Sequence, residues 1–150
     1  MKEFVVFDLD GTLSSAKHRM HLLPSRENRD DTSAWNAFNM AAGDDTPRYD
    51  NIDVLNALYH CYDIVILTGR SDIAKDVTEK WLKRHKVFYD KLIMRESTDY
   101  RKDIEFKEDE LRKLDLKDIL CCFDDLEHVA KHIRSLGVTC HLVTHYDHEC

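Results

Sequence analysis

Five short runs rich in Val, Ile, Leu and Phe, at 4–8, 63–68, 90–94, 118–123 and 138–143, are spread along a chain of 150 residues. They read as buried strands. Helical patterns lie between the later ones. Segment 51–60 sets Ile52, Leu55 and Leu58 on one face, and 71–85 sets Ile73, Val77 and Trp81-Leu82. Segment 125–136 does so with Leu126, Val129-Ala130 and Ile133, before a stop at Gly137. Strands alternating with helices call for βαβ crossovers, so the expected class is α/β with a mostly parallel sheet. Ligands of such sheets gather at the carboxyl ends of the strands.

Residues 13–50 carry no strand pattern and hold both prolines, Pro24 and Pro47. We read them as an insertion, a small cap over the active edge of the sheet. A short helix is expected near 32–42, capped by Asp31, Thr32 or Ser33 and stopped by Gly43. With no repeat, low-complexity stretch or linker, residues 1–150 form a single domain in this reading.

The 43% apolar and 34% charged fractions belong to a folded, highly charged globular chain. No apolar run approaches membrane-spanning length, and Met1-Lys2-Glu3 leads straight into a strand without a signal-peptide pattern. The net charge of −7 opposes broad electrostatic binding to nucleic acid, yet allows a local cationic pocket for one phosphate or one strand end. Cys61, Cys121, Cys122, Cys140 and Cys150 are odd in number, with two adjacent in an apolar run. Reduced thiols in a cytoplasmic protein are the expectation.

The first run, Phe4-Val5-Val6-Phe7, ends in Asp8-Leu9-Asp10-Gly11-Thr12. Buried carboxylates are costly unless a metal, a proton or a cationic side chain balances them. The second run ends in Thr68-Gly69-Arg70 and the fourth in Asp124-Asp125, and Lys102 and Lys107 lie between the third and fourth. Four aspartates, a hydroxyl and a lysine at one rim suit a hard cation such as Mg²⁺ and a phosphoryl group that a free carboxylate attacks. Residues i and i+2 of a strand point the same way. Asp8 and Asp10 can therefore approach one phosphate, one as nucleophile and the other as proton donor and acceptor. Gly11 lets the backbone turn closely around phosphoryl oxygens.

DLDGT at 8–12, LTGR at 67–70, Lys107 and FDD at 123–125 resemble the four motifs of haloacid dehalogenase (HAD) superfamily phosphohydrolases, in their order and spacing. RESTDYRKDIEFK at 95–107 and FDDLEHVAKHIRSLGVTC at 123–140 are similar to the 3′-phosphatase domain of phage polynucleotide kinase and to small phage-type phosphatases. The resemblance implies a three-layer Rossmann-like fold and a Mg²⁺-dependent phosphomonoesterase working through an aspartyl-phosphate. It implies Asp8 as nucleophile, Asp10 as acid and base, and Thr68 and Lys107 on the phosphoryl oxygens. Gly69, Arg70, Arg95 and Asp103 would meet substrate, and Asp8, Asp10, Asp124 and Asp125 would hold the metal. The implied substrate is a 3′-phosphate on a nucleic-acid end, in repair, with a separate kinase or ligase as partner. No GxxxxGK[ST] phosphate loop occurs, so no kinase half is expected in this chain. Segment 13–50 is not part of the resemblance.

Other readings attach to the same residues. A calcium loop fails because Gly11 comes too early and the twelfth position from Asp8 is Arg19, not Glu. Lys102 is the rival of Lys107. CHLVTHYDHEC offers Cys140, His141, His145, His148 and Cys150 as zinc ligands, but in no usual structural-zinc spacing, and a frayed terminus is simpler. Trp35 and Phe38, at i and i+3, fit core packing, with base stacking as the alternative. Lys17, Arg19, Arg26 and Arg29 form the cationic side that a polynucleotide would meet. The acidic net charge favours a small nucleoside monophosphate instead. A non-catalytic module that binds phosphorylated ends is the reading from another class, disfavoured by the intact set of Asp8, Asp10, Thr68 and Asp124.

Overall fold

The structure, a computed structural model, describes residues 1–144. Along the chain lie β1 (Phe4–Phe7), β2 (Ser14–Ser15), α1 (Asn36–Met40), β3 (Thr46–Pro47), α2 (Tyr49–Tyr59) and β4 (Asp63–Ser71). They are followed by α3 (Lys75–Arg84), β5 (Lys91–Arg95), α4 (Asp103–Lys113), β6 (Ile119–Asp124), α5 (Glu127–Ser135) and β7 (Cys140–Leu142). The main sheet has the order β5-β4-β1-β6-β7, and every pairing in it is parallel. The five expected strands are these five, with no end moved by more than three residues.

Alternation along the strands sorts side chains into two cores. Val5, Phe7, Ile64, Ile66 and Cys121 pack with Ile52 and Leu55 of α2 and Trp81 and Leu82 of α3. Val6, Val65, Leu67 and Cys122 face the other way, toward Phe106 and Leu111 of α4 and Val129 and Ile133 of α5. Each fully buried side chain of this size contributes about 1.5–3 kcal/mol, so a one-residue register slip would be prohibitive. The result is a Rossmann-like α/β fold with helices on both faces of the sheet.

Two residues assigned to helix faces lie elsewhere. Ile73 is exposed because Asp72–Ala74 forms a 3₁₀ turn, with the Ser71 hydroxyl accepting from the Ile73 N–H at 3.4 Å. The buried face of α3 is instead Thr78, Trp81 and Leu82. Leu126 is exposed because α5 starts after it, and Asp124 Oδ1 accepts its N–H at 3.0 Å.

Between β2 and β3 the chain makes short turns rather than one helix over 32–42: 3₁₀ turns at Thr32–Trp35 and Ala41–Asp44 flank α1. Arg19 Nη1 donates to the Phe38 carbonyl at 2.9 Å, engaging an oxygen that a continuing helix would offer to residue 42. Of the three candidate caps, Asp31 serves, accepting from the Ser33 N–H at 3.0 Å. Gly43 lies inside the last turn and stops no helix. β2 and β3 pair antiparallel, Ser14 with Pro47 and Ser15 with Thr46, which joins the two ends of the segment.

Cys121, Cys122 and Cys140 are buried free thiols and Cys61 an exposed one. His145, His148 and Cys150 lie outside the described residues. No described helix is long and apolar enough to cross a membrane.

Candidate active site

Asp8 continues the line of β1, its N–H donating to the Phe123 carbonyl at 2.9 Å, so β1 and β6 bring Asp8 and Asp124 side by side. The Leu9 carbonyl then accepts from the Leu13 N–H at 2.9 Å and folds the chain back. Gly11 sits at the crossing with φ +82°, and a Cβ there would stand 2.1 Å from Asp125 Oδ2. Only glycine takes this backbone shape cheaply and leaves room for that carboxylate.

Asp8, Asp124 and Asp125 each turn a carboxylate oxygen into one group whose atoms lie within 4.8 Å of one another, and among the described residues no other such acidic, His or Cys group occurs. Lys107 enters it from α4, with Nζ 2.9 Å from Asp124 Oδ2, 3.2 Å from Asp8 Oδ1 and 3.7 Å from Asp103 Oδ2. Lys107 is buried, whereas Lys102 is exposed at the start of α4. Burial pushes the Asp8 pKa well above the carboxylate range; Lys107 pulls it down, and the charges of Asp124 and Asp125 raise it again. Burial works against the Lys107 ammonium too, but Asp8, Asp103 and Asp124 outweigh it and hold its pKa well above the ordinary value. The carboxyl groups of Asp8, Asp124 and Asp125 outnumber the one ammonium beside them. The all-oxygen donor set fits a hard divalent cation.

Asp10 is held differently. Its Oδ1 accepts from Arg19 Nη2 at 2.5 Å and from Arg70 Nη2 at 2.6 Å. Burial would raise its pKa, but Arg70 and Arg19 together bring it down to about 2. Of the four aspartates expected at the metal, Asp8, Asp124 and Asp125 share one acidic group, while the Asp10 carboxylate stands beside it on two arginines. Arg19 also grips Asp45, through Nε at 2.8 Å and Nη2 at 2.7 Å, and Trp81 Nε1 donates to the Asp45 carbonyl at 2.9 Å. Arg19 is wholly buried, so it cannot belong to the cationic outer side where the sequence reading put it. Sequence reasoning missed Asp45 altogether. No local signal marks it, because its partner lies 26 residues away.

Gly69 and Arg70 form a bulge in β4, since Thr68 pairs with Met94 but Ser71 with Arg95. Such bulges re-aim side chains. Here Arg70 is directed to Asp10 and to the Thr78 hydroxyl, at 2.9 Å. Arg95 donates to the Gly69 carbonyl at 3.3 Å and to Asp103 Oδ1 at 3.5 Å, and its guanidinium lies 4.9 Å from the Phe106 ring centroid. A Cβ on Gly69 would stand 2.4 Å from Asp103 Oδ1. Thr68, Gly69, Arg70, Arg95, Asp103 and Lys107 line, with Asp8, Asp10, Gly11 and Asp125, a cavity of about 920 Å³. Lys17 and Arg29 line it too, and Arg26 does not. Asp124 is buried beside it.

Among solved structures, the chain is similar to one chain of the Pnkp1/Rnl/Hen1 RNA repair complex, at TM-score 0.74 and 26% identity. The match covers 98% of this chain but 44% of the other, so the present chain spans less than half the length of that relative. A haloacid dehalogenase-like hydrolase of Streptococcus pneumoniae gives TM-score 0.69 at 15% identity, over 95% of this chain and 85% of that one. A HAD-family enzyme of Bacteroides thetaiotaomicron, solved with magnesium and inorganic phosphate, gives 0.58 at 13% identity, over 99% and 98%. At these identities the last two speak for the fold alone. Comparison with curated protein sequences gives no match. The family model of the polynucleotide kinase PNKP phosphatase domain matches residues 2–148, and the chain belongs to this family of HAD-type phosphatases.

Proposed function

We propose that this phosphatase removes 3′-phosphates from nucleic-acid ends, with Mg²⁺ and an aspartyl-phosphate intermediate. The observation that carries the reading is the placement of Asp8 beside the Lys107 ammonium, at 3.2 Å, in one group with the carboxylates of Asp124 and Asp125. Asp8, Asp124 and Asp125 would hold the cation, which supplies charge neutralisation at the transferred phosphoryl group. An Asp8 oxygen forms the bond to phosphorus as the bond to the leaving oxygen breaks. Water then cleaves the acyl phosphate and frees inorganic phosphate. Thr68 and Lys107 bind phosphoryl oxygens. Asp10 gives a proton to the leaving oxygen and takes one from the water. Arg19 and Arg70 favour its deprotonated form, so the second step starts from a ready base and the first requires Asp10 to be protonated before it. Segment 13–50 acts as a small cap, since Lys17, Arg29, Trp35 and Phe38 share the cavity with the strand ends. The product, a 3′-hydroxyl, is what a ligase consumes, which makes a ligase or kinase the expected partner.

The test is a panel with Mg²⁺: a 3′-phosphorylated oligonucleotide, 3′- and 5′-mononucleotides and a sugar phosphate, repeated in EDTA and with Asp8→Asn. The oligonucleotide should be hydrolysed most efficiently, and both EDTA and Asp8→Asn should abolish turnover. Full activity in EDTA, or wild-type rates in folded Asp8→Asn, overturns the mechanism. Equal hydrolysis of the 3′-mononucleotide would favour a nucleoside monophosphatase, the reading that the net charge of −7 supports.

A further inference from the structure

The cavity extends well past what a phosphoryl group and a cation need, and part of its wall is aromatic. Trp35, Phe38 and Tyr100 all line it. Phe38 is already used: it is buried, with the Arg19 guanidinium 4.1 Å from its ring centroid. Trp35 is half-buried and held from two directions. Its indole N–H donates to the Arg29 carbonyl at 3.0 Å, and its ring meets Phe38 edge-on at 5.8 Å and 77°. Tyr100 is 60% exposed. It follows Asp99, whose carbonyl accepts the Thr32 hydroxyl at 2.5 Å. That bond stitches the turn bearing Trp35 to the loop bearing Tyr100.

We propose that Trp35, together with Tyr100, forms a nucleobase subsite, where the base of the nucleotide carrying the phosphate stacks on the fixed indole. The inference rests on the nucleotide reading above. A ring held by a hydrogen bond and an edge contact loses little freedom when a base covers it. Every base has a π-face, so the subsite tolerates any base and adds affinity without sequence preference. The two residues of the TrpxxPhe pair thus have separate tasks, Phe38 in the core under Arg19 and Trp35 on the cavity wall.

The test compares two 3′-phosphorylated oligonucleotides, one with an ordinary terminal nucleoside and one with a terminal abasic sugar. The wild-type enzyme should show a KM about tenfold or more lower for the base-bearing substrate, the scale of one stacked base. Trp35→Ala should collapse that KM ratio toward one while kcat for the base-bearing substrate falls far less, and Trp35→Phe should restore most of the ratio. A wild-type enzyme that does not discriminate, or a Trp35→Ala penalty equal on both substrates, overturns the subsite while leaving the phosphatase intact. Should Trp35→Ala fail to fold, Trp35→Leu and Tyr100→Ala carry the comparison, and an unchanged ratio in both overturns the subsite. If only p-nitrophenyl phosphate is hydrolysed, the nucleotide reading itself fails. The subsite is then judged by fluorescence in Asp8→Asn: quenching of Trp35 by a nucleoside 3′-monophosphate, lost in Trp35→Phe, supports it, and no quenching overturns it.

Discussion

The buried guanidinium of Arg19 bridges Asp10, at 2.5 Å, and Asp45, at 2.7 Å, through the same Nη2 nitrogen. Asp45 has no exposed side-chain surface, so removing the arginine strands a carboxylate in the interior. Arg19→Met should destabilise the protein by about 3–5 kcal/mol, the usual cost of breaking one side of a buried pair. Adding Asp45→Leu should recover part of that loss, because no charge is then left without a partner. Urea unfolding of the two variants decides: equal stability of Arg19→Met and wild type would show that the network contributes nothing.

Gly11→Ala and Gly69→Ala should differ although both add one methyl group. At Gly11 the left-handed backbone alone costs about 1–2 kcal/mol for an L-residue. The new Cβ also meets Asp125 at 2.1 Å. At Gly69 the clash is with Asp103, whose side chain is 37% exposed and can swing outward. We expect Gly69→Ala to stay within about 1 kcal/mol of wild type, and Gly11→Ala to lose both stability and Mg²⁺ affinity. Thermal unfolding with and without Mg²⁺ reads both, and identical shifts would contradict the geometry.

Acid stability should depend on Asp99. Hydrogen bonds from the Arg101 side chain, chiefly, hold its pKa at about 2 against the opposing effect of burial. The folded value lies below the ordinary 3.8, so the stabilisation is complete above about pH 4 and is lost as pH falls through 2. Asp99→Asn should therefore be less stable than wild type at pH 6, with the gap closing by pH 2. Denaturant titrations across that range check it; a constant gap would remove Asp99 from the acid response.

The sheet was legible because its signal is local. Val5, Phe7, Ile64 and Ile66 on one face and Val6 and Val65 on the other follow from alternation alone. Once β1 and β6 are known, Asp8 and Asp124 must lie at their carboxyl ends, and Thr68 falls beside them just ahead of the bulge in β4. Ile73 and Leu126 were misread because turn-forming side chains, Ser71 and Asp124, outcompeted the helical period at helix starts. The 13–50 segment has no period to read. Nothing in the sequence separates buried Arg19 from exposed Arg26, since burial of a charge is decided by distant partners such as Asp45.

The antiparallel stem of Ser14–Ser15 with Thr46–Pro47 bears on protein engineering. It returns the chain close to where it left, an arrangement that invites segment swapping between relatives to alter selectivity. Arg19 and Asp45 lie inside the swapped piece, while Asp10, Arg70 and Trp81, which they contact, lie outside it. A chimera that brings in a foreign segment without that pair would disarm Asp10 along with changing the entrance. The stretch 25–28, exposed throughout and ahead of Arg29 and Asp31, is the safer graft site.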